Sequence, residues 1–310
     1  MHKDYVGRFA PSPSGQLHFG SLVTAVASFL DARSHGGKWL VRIEDIDEPR
    51  CIDGVDKSIL HTLETHGLLW DGDVMYQSQQ HHRYQQVIDR LIAQQKAYLC
   101  TCTRKQIKAM GGSYNGHCRH QNIEANTPNT AVRLKVDTPL EAFDDLIMGH
   151  IQPPLSVHNG ASAMAEDVVL KRRDGLFSYN LVVVLDDVFQ QVTHIIRGCD
   201  LIDVTPLQRA VYHALDFPPP AYGHVPVAAI APGRKLSKQN HATPINNEHA
   251  RENLVRAMRF LGFSFPQASE FDTVQSLLNA AISVWNRKIV VKTPEIIVPQ
   301  HESTYYSQPL

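Results

Sequence analysis

Long apolar runs are missing from this 310-residue chain: no stretch reaches the roughly 18 consecutive apolar residues of a membrane-spanning helix. The start, Met1-His2-Lys3-Asp4, leads into a polar, proline-rich segment instead of the apolar core of an export signal. The expected location is therefore cytoplasmic, with no membrane partner. An excess of one charge is missing too. Lys and Arg number 30 against 31 Asp and Glu, a formal net charge of −1, so any RNA must be held by a local basic face. The five cysteines, Cys51, Cys100, Cys102, Cys118 and Cys199, are an odd number in a chain without an export signal, which argues against a disulfide framework. Internal repeats are absent. What is present is a 43% hydrophobic composition, enough to bury a substantial core in one large domain or two to three smaller units.

Val6–Ala10 reads as a short strand, and Pro11-Ser12-Pro13-Ser14-Gly15 cannot continue a ladder and must turn. From Ser21, a candidate N-cap, the apolar residues Leu22, Val23, Val26, Ala27, Phe29 and Leu30 follow helical spacing up to a stop at Gly36-Gly37. Trp39–Ile43 is a second strand, and its end carries the acidic run Glu44-Asp45-Ile46-Asp47. In open parallel sheets that edge faces the ligand crevice. Helical stretches follow over Gly54–His66 and Gln79–Gln95, the second with Ser78 as candidate cap. From Tyr98 to about Ala165 the chain is loop-rich, with β-like runs at Ala131–Val136 and Ile147–Ile151, and reads as an insertion in a doubly wound domain. Asp167–Lys171, Leu181–Leu185 and Val192–Arg197 read as the return to that domain, ahead of a helix over Pro206–Leu215. Helices near Asn246–Leu261 and Val274–Val284 follow, and the tail after Pro299 is expected to be mobile.

Four groups of residues carry chemistry. His18-Phe19-Gly20-Ser21 puts an imidazole and a glycine at the mouth of the first helix, where free N–H groups and the helix dipole favour a phosphate. Late in the chain, Gly233-Arg234-Lys235-Leu236-Ser237-Lys238-Gln239 sets two ammonium groups on a loop able to close over a triphosphate. Arg8 and Glu44 sit at adjacent strand ends, a cation and an anion that suit the carboxylate and ammonium groups of an amino acid; an ion pair between neighbouring strands is the other reading of the same two residues. Cys100-Thr101-Cys102 and Cys118 supply three thiolates suited to Zn²⁺. His117, through a ring nitrogen, is the fourth ligand that general preference suggests, and Tyr114, an oxygen donor, is the other candidate in the same glycine-rich loop. His81-His82, Cys51 and Cys199 have no companions nearby and read as surface or core residues.

The two phosphate motifs together resemble the paired signatures of class I aminoacyl-tRNA synthetases, with Phe19, Ser21, Leu236 and Gln239 standing where Ile, His, Met and Ser are usual. Ser at that His position is common in the glutamyl/glutaminyl branch. Arg8–Gly15 and Arg42–Asp47 resemble the glutamate-binding segments of glutamyl-tRNA synthetases. The Cys-x-Cys, Tyr-x-x-x-Cys pattern, and an end at Leu310 where those enzymes continue into an anticodon-binding region, resemble the glutamyl-Q tRNA(Asp) synthetase family, matched from Tyr5 to about Asn240.

The resemblance implies an α/β fold: a class I synthetase-type, Rossmann-like parallel sheet with an inserted zinc-containing α+β subdomain and a helical C-terminal region. Its expected units are the two halves of a catalytic domain, 1–97 and 167–240, the insertion 98–166 and the helical region 241–310. It implies an ATP site of His18, Gly20, Ser21, Lys235, Ser237 and Lys238, with His18 and Lys238 catalytic and Mg²⁺ accompanying ATP. Arg8, Phe9, Ala10, Pro11, Ser12, Glu44, Tyr179 and Arg197 would form the glutamate site, Arg8 and Arg197 addressing carboxylates and Glu44 the amino group. One structural Zn²⁺ would sit on Cys100, Cys102, Tyr114 and Cys118. The implied reaction forms glutamyl-adenylate and passes glutamate to the queuosine base at the wobble position of the tRNA(Asp) anticodon stem-loop, by a monomeric enzyme. A truncated glutamyl-tRNA synthetase charging a 3′ end and a catalytically silent RNA-binding paralogue are the rival expectations.

Overall fold

The computed structural model describes residues 4–153, 166–236 and 243–298; Ser237, Lys238 and the tail after Pro299 lie outside the described residues. The chain begins with β1 (Val6–Phe9), α1 (Phe19–Ser34) and β2 (Lys38–Ile43). The strands run parallel, Val6 opposite Lys38 and Phe9 opposite Val41. Helix α1 starts earlier than its apolar spacing suggests. His18 is the N-cap, its Nδ1 accepting the Ser21 N–H at 3.3 Å, so Ser21 lies inside the first turn and does not cap it. After Ser34 the chain leaves the helix through Gly36 at φ +64°, a left-handed geometry that glycine adopts without strain. α1 is apolar nearly all round because other elements cover it on several sides: Leu22, Val26 and Leu30 join a core shared with Trp39, Val41, Leu254, Met258 and Leu277.

Next come α2 (Val55–Thr65), β3 (Met75–Tyr76), which extends β2 in parallel, and α3 (His81–Ala93). Ser78 does not cap α3. Its N–H and hydroxyl donate to Asp45 at 2.8 and 2.6 Å, which fixes the acidic run instead. The loop-rich segment holds β4 (Ala97–Cys100), α4 (Arg104–Ala109), β5 (Ala131–Leu134) and the antiparallel pair β6 (Phe143–Asp145) and β7 (Gly149–Ile151). β8 (Val168–Lys171) pairs antiparallel with β5, which pairs with β4, so it joins this sheet and not the parallel one.

Leu181–Leu185 is helical and no strand: it lies within α5 (Tyr179–Phe189), capped by the Ser178 hydroxyl. A short apolar run has no period of its own, and here the cap decided. β9 (His194–Gly198), α6 (Thr205–Ala214) and β10 (Ala221–Val225) follow, β9 and β10 parallel. The Thr193 N–H donates to the Val6 carbonyl at 2.9 Å, which sets β9 beside β1. β11 (Val227–Ala231) pairs with β12 (Arg234–Lys235) and with the late β13 (Glu295–Ile297), while α7 (Ala250–Phe260) and α8 (Val274–Val284) close over α1. Among the described residues no helix is long and apolar enough to cross a membrane.

Candidate active site

The C-terminal ends of β1, β2 and β9 open on a cleft of about 250 Å³. Arg8, Phe9, Ala10, Pro11, Ser12, Glu44, Tyr179 and Arg197 line it together with His18, Gly20, Ser21 and Lys235. Residues up to 227 positions apart in sequence thus share one wall-to-wall space, because parallel strands bring their C-terminal ends to the same edge.

The charges at the strand ends are buried and tied to one another. Arg8 Nε and Nη2 donate to Asp187 at 3.2 and 3.3 Å, and Arg42 Nη1 donates to Asp187 at 2.8 Å and to Gln190 at 2.8 Å. Arg42 Nη2 also reaches Glu44 at 3.4 Å, so Glu44 pairs with Arg42 on its own strand and Arg8 with Asp187 on α5. Burial pushes the Glu44 carboxyl up, against the pull of Arg42 and Arg8. Asp187 goes the other way: its burial is outweighed by Arg8 and Arg42, which hold it below the usual carboxylate range. Arg197 is 3% exposed. Its Nη1 is buried without a hydrogen-bond partner, an unsatisfied donor on the wall of a cleft. Tyr179, at the first turn of α5, stays 37% exposed at the mouth.

At the other end, the His18 imidazole lies against the backbone of α1. A Cβ at Gly20 would lie 3.2 Å from His18 Cε1, so a larger residue there would press on the ring. The ring and the first turn of α1 line this end of the cleft, where the free N–H groups of a helix N-terminus favour negative charge. Lys235 reaches in from β12, its Nζ bonded to Asp200 at 2.5 Å. Ser237 and Lys238 lie outside the described residues.

The second constellation is far from the cleft in sequence and chemistry. Cys100, Cys102 and Cys118 are buried with their sulfurs within 4.8 Å of one another. Cys102 and Cys118 sulfurs are 3.6 Å apart, too far for a disulfide and close to the spacing of about 3.8 Å that two thiolates 2.3 Å from one tetrahedral ion must have. Tyr114 is buried in the same cluster, its phenol oxygen accepting the Cys118 N–H at 2.8 Å and lying 3.2 Å from the Tyr98 hydroxyl. His117 is exposed and its Nε2 meets Gln121 at 3.0 Å. Of the two candidate fourth donors, only the Tyr114 oxygen is placed among the thiols. Cys199 is buried apart from them, its thiol pushed up to about 12 by burial.

Several cleft residues carry no motif. Thr24, Asp200 and Leu201 line the wall, and Asp187 anchors two arginines. Asp186-Asp187 in the otherwise apolar Leu181–Phe189 run is the one local signal: two carboxylates on a buried helix demand cationic partners.

Residues 5–296 match the family described as tRNA synthetases class I (E and Q), catalytic domain. The chain is 48% identical over 292 residues to the glutamyl-Q tRNA(Asp) synthetase of Vibrio vulnificus, spanning 94% of this chain and 93% of that protein. It is 50% identical over 294 residues to the glutamyl-Q tRNA(Asp) synthetase of Photobacterium profundum, spanning 95% and 92%. Among solved structures, a glutamate-tRNA synthetase from Elizabethkingia anophelis superimposes with a TM-score of 0.78 at 22% identity, over 98% of this chain and 70% of that one. That likeness gives the fold: a class I synthetase-like parallel sheet with helices.

Proposed function

Because this chain belongs to the glutamyl-Q tRNA(Asp) synthetase family, built on the class I tRNA synthetase catalytic domain, we propose that it activates L-glutamate with ATP and transfers it to the queuosine base of tRNA(Asp). One observation carries the reading: a single cleft joins the buried Arg8, Glu44 and Arg197 to the His18-capped N-terminus of α1. A dicarboxylic amino acid needs cations for its carboxylates and an anion for its ammonium, and ATP needs donors for its phosphates; one cleft is lined by groups for both.

In this reading the unsatisfied Nη1 of Arg197 takes a glutamate carboxylate oxygen, and Glu44, paired with Arg42, takes the ammonium group. The α-carboxylate attacks the α-phosphorus of ATP; the bond from that phosphorus to the bridging oxygen breaks, and pyrophosphate leaves with the electron pair. No side chain acts as a nucleophile. His18, the N–H groups of α1, Lys235 and Lys238 stabilise charge on the phosphates, and Mg²⁺ bound with ATP adds to that neutralisation. A hydroxyl of the modified base, presented by the anticodon stem-loop, then attacks the acyl carbon of the adenylate; the bond from that carbon to the phosphate oxygen breaks, AMP leaves with the electron pair, the hydroxyl proton passes to solvent, and the glutamate is left as an ester on the base. Single-stranded loop bases can be splayed out to reach such a site.

Cys100, Cys102, Cys118 and Tyr114 hold one structural Zn²⁺ in this proposal, in an insertion that lies between the catalytic halves and whose sheet of β4, β5 and β8 carries it from Ala97 to Lys171, past the expected bounds of 98–166; the helical region 241–310 follows. Zinc would stabilise the loop-rich insertion by on the order of 10 kcal/mol. One equivalent of zinc released to a chelator dye on denaturation is expected; none removes the metal from the account.

The decisive experiment supplies ATP and labelled glutamate with either queuosine-containing tRNA(Asp) or tRNA(Glu), then maps the label by nuclease fragmentation. Label in the anticodon fragment of tRNA(Asp) is expected. Label at a 3′ end favours a truncated glutamyl-tRNA synthetase, and absence of glutamate-dependent pyrophosphate exchange favours a silent RNA-binding paralogue.

A further inference from the structure

Arg197 does not stand alone on β9. Its Nη2 donates to Thr205 Oγ1 at 2.7 Å and lies 3.4 Å from the Leu201 carbonyl, and its Nε donates to His224 Nε2 at 3.1 Å. The Thr205 hydroxyl passes its own proton to the Leu201 carbonyl at 2.9 Å, which leaves its lone pair for the guanidinium. Behind His224 stands Asp145, at the end of β6 in the loop-rich segment. Its Oδ2 meets His224 Nδ1 at 2.6 Å, and both side chains are fully buried. Asp145 Oδ1 accepts three backbone N–H groups, from Ile147 at 3.0 Å, Met148 at 2.8 Å and His224 at 3.1 Å. With the Tyr222 ring 5.0 Å from the Arg197 guanidinium carbon, the arginine is held on every nitrogen but Nη1.

The protonation pattern follows from donor arithmetic. An arginine N–H can only donate, so His224 Nε2 must be unprotonated and the ring proton must sit on Nδ1, facing Asp145. Burial together with the Arg197 charge disfavours the imidazolium, although Asp145 pulls the other way. Asp145 is itself held below the usual carboxylate range, its burial outweighed by His224 and the Met148 and Ile147 amides. Asp145 therefore selects the tautomer, the tautomer presents an acceptor, and the acceptor turns the guanidinium so that Nη1 is left for a ligand.

We propose that Asp145 and His224 are positioning residues that orient Arg197 for a carboxylate of the amino-acid substrate. The inference rests on the reading above that Arg197 binds glutamate. It also gives the hairpin of β6 and β7 a part in substrate recognition: a carboxylate 52 positions before Arg197 in sequence sets the pose of a cleft residue.

The test uses full-length protein and the variants Asp145→Asn, His224→Gln and His224→Leu, with L-glutamate binding by calorimetry, glutamate- and ATP-dependent pyrophosphate exchange, and thermal unfolding. Asp145→Asn keeps an oxygen for the three amides but turns an N–H toward His224 Nδ1. The ring proton moves to Nε2 and opposes the Arg197 N–H. The expected result is a rise of about 10- to 100-fold in the glutamate Kd and KM, with the KM for ATP and kcat within about twofold of the unmodified protein. His224→Leu behaves alike, while His224→Gln, whose Oε1 can stand where Nε2 stood, recovers most of the affinity. Unchanged glutamate binding in both Asp145→Asn and His224→Leu overturns the inference. So does a parallel rise in the KM for ATP, or a loss confined to unfolding temperature, since either marks a structural role only. An unmodified protein that binds no glutamate overturns the functional reading and this inference with it, whereas one that binds glutamate as tightly as its variants overturns the inference alone.

Discussion

At the strand end of the cleft Arg8, Glu44 and Arg197 are at most 9% exposed, whereas at the loop end the side chains of Lys235 and Asp200 are 41% and 35% exposed. The first set is locked by partners on α5, β2, α6 and β10; the second meets in a partly exposed ion pair at the rim. The difference matches two tasks. Discriminating a small dicarboxylic acid requires donors fixed before binding, since a buried unpaired donor penalises any ligand that fails to satisfy it. Handling a triphosphate that must enter, react and leave suits cations whose pairing is weak and exchangeable in water.

Removing the anchor of the locked end should do the most damage. Asp187→Ala leaves Arg8 and Arg42 without their shared carboxylate and is expected to destabilise the fold by about 3–5 kcal/mol in urea unfolding, because an uncompensated buried charge remains. A loss under about 1 kcal/mol would mean that the strand end is not locked as described.

Lys238→Ala addresses the other end by chemistry alone. Pyrophosphate exchange should fall about 10²- to 10³-fold with glutamate binding intact; an equal loss of both would merge the two ends into one unit.

The strand that carries Arg197 is also pinned at its start, where His194 stacks on Tyr5 with ring centroids 4.1 Å apart. Burial, reinforced by Arg287, lowers His194 to about 4 from 6.5. The unfolded chain therefore takes up this proton first. The stabilisation is whole above about pH 6.5 and is lost as pH falls toward 4, by about 1–2 kcal/mol once its partial exposure is allowed for. Denaturant midpoints at pH 7 and pH 5 should differ by less in a His194→Gln variant, and an equal difference removes His194 from the cause.

The smallest effect belongs to the rim. Asp200→Asn should leave stability within about 1 kcal/mol and shift the KM for ATP by no more than about threefold. A larger stability change would place the rim pair with the locked end after all.

Much of this arrangement is legible before any coordinates. Val6–Ala10 as strand, the proline turn, the helix from the His18 motif and the strand ending in Glu44 follow from turn chemistry and apolar spacing that act over a few residues. The resemblance to synthetase motifs named the cleft residues, and it named Tyr114 with the three cysteines, where general ligand preference pointed to His117. Local reading failed where local rules are silent. Apolar spacing makes Ser21 the candidate cap of α1, whereas His18 caps it, since the helix begins before its apolar period does. Leu181–Leu185, which stands between two strands in the sequence reading, is helical, because a valine-rich run has no period to distinguish strand from helix.

The amino-acid sequence by itself determined which groups are available and where short segments turn, since torsional preference and hydrophobic period are properties of neighbours. Only the tertiary structure decided how the charges pair: Arg8 with Asp187 across 179 positions and His224 with Asp145 across 79. Electrostatic partnership in a low-dielectric interior depends on distance in space, and parallel strands and covering helices, not sequence order, set that distance.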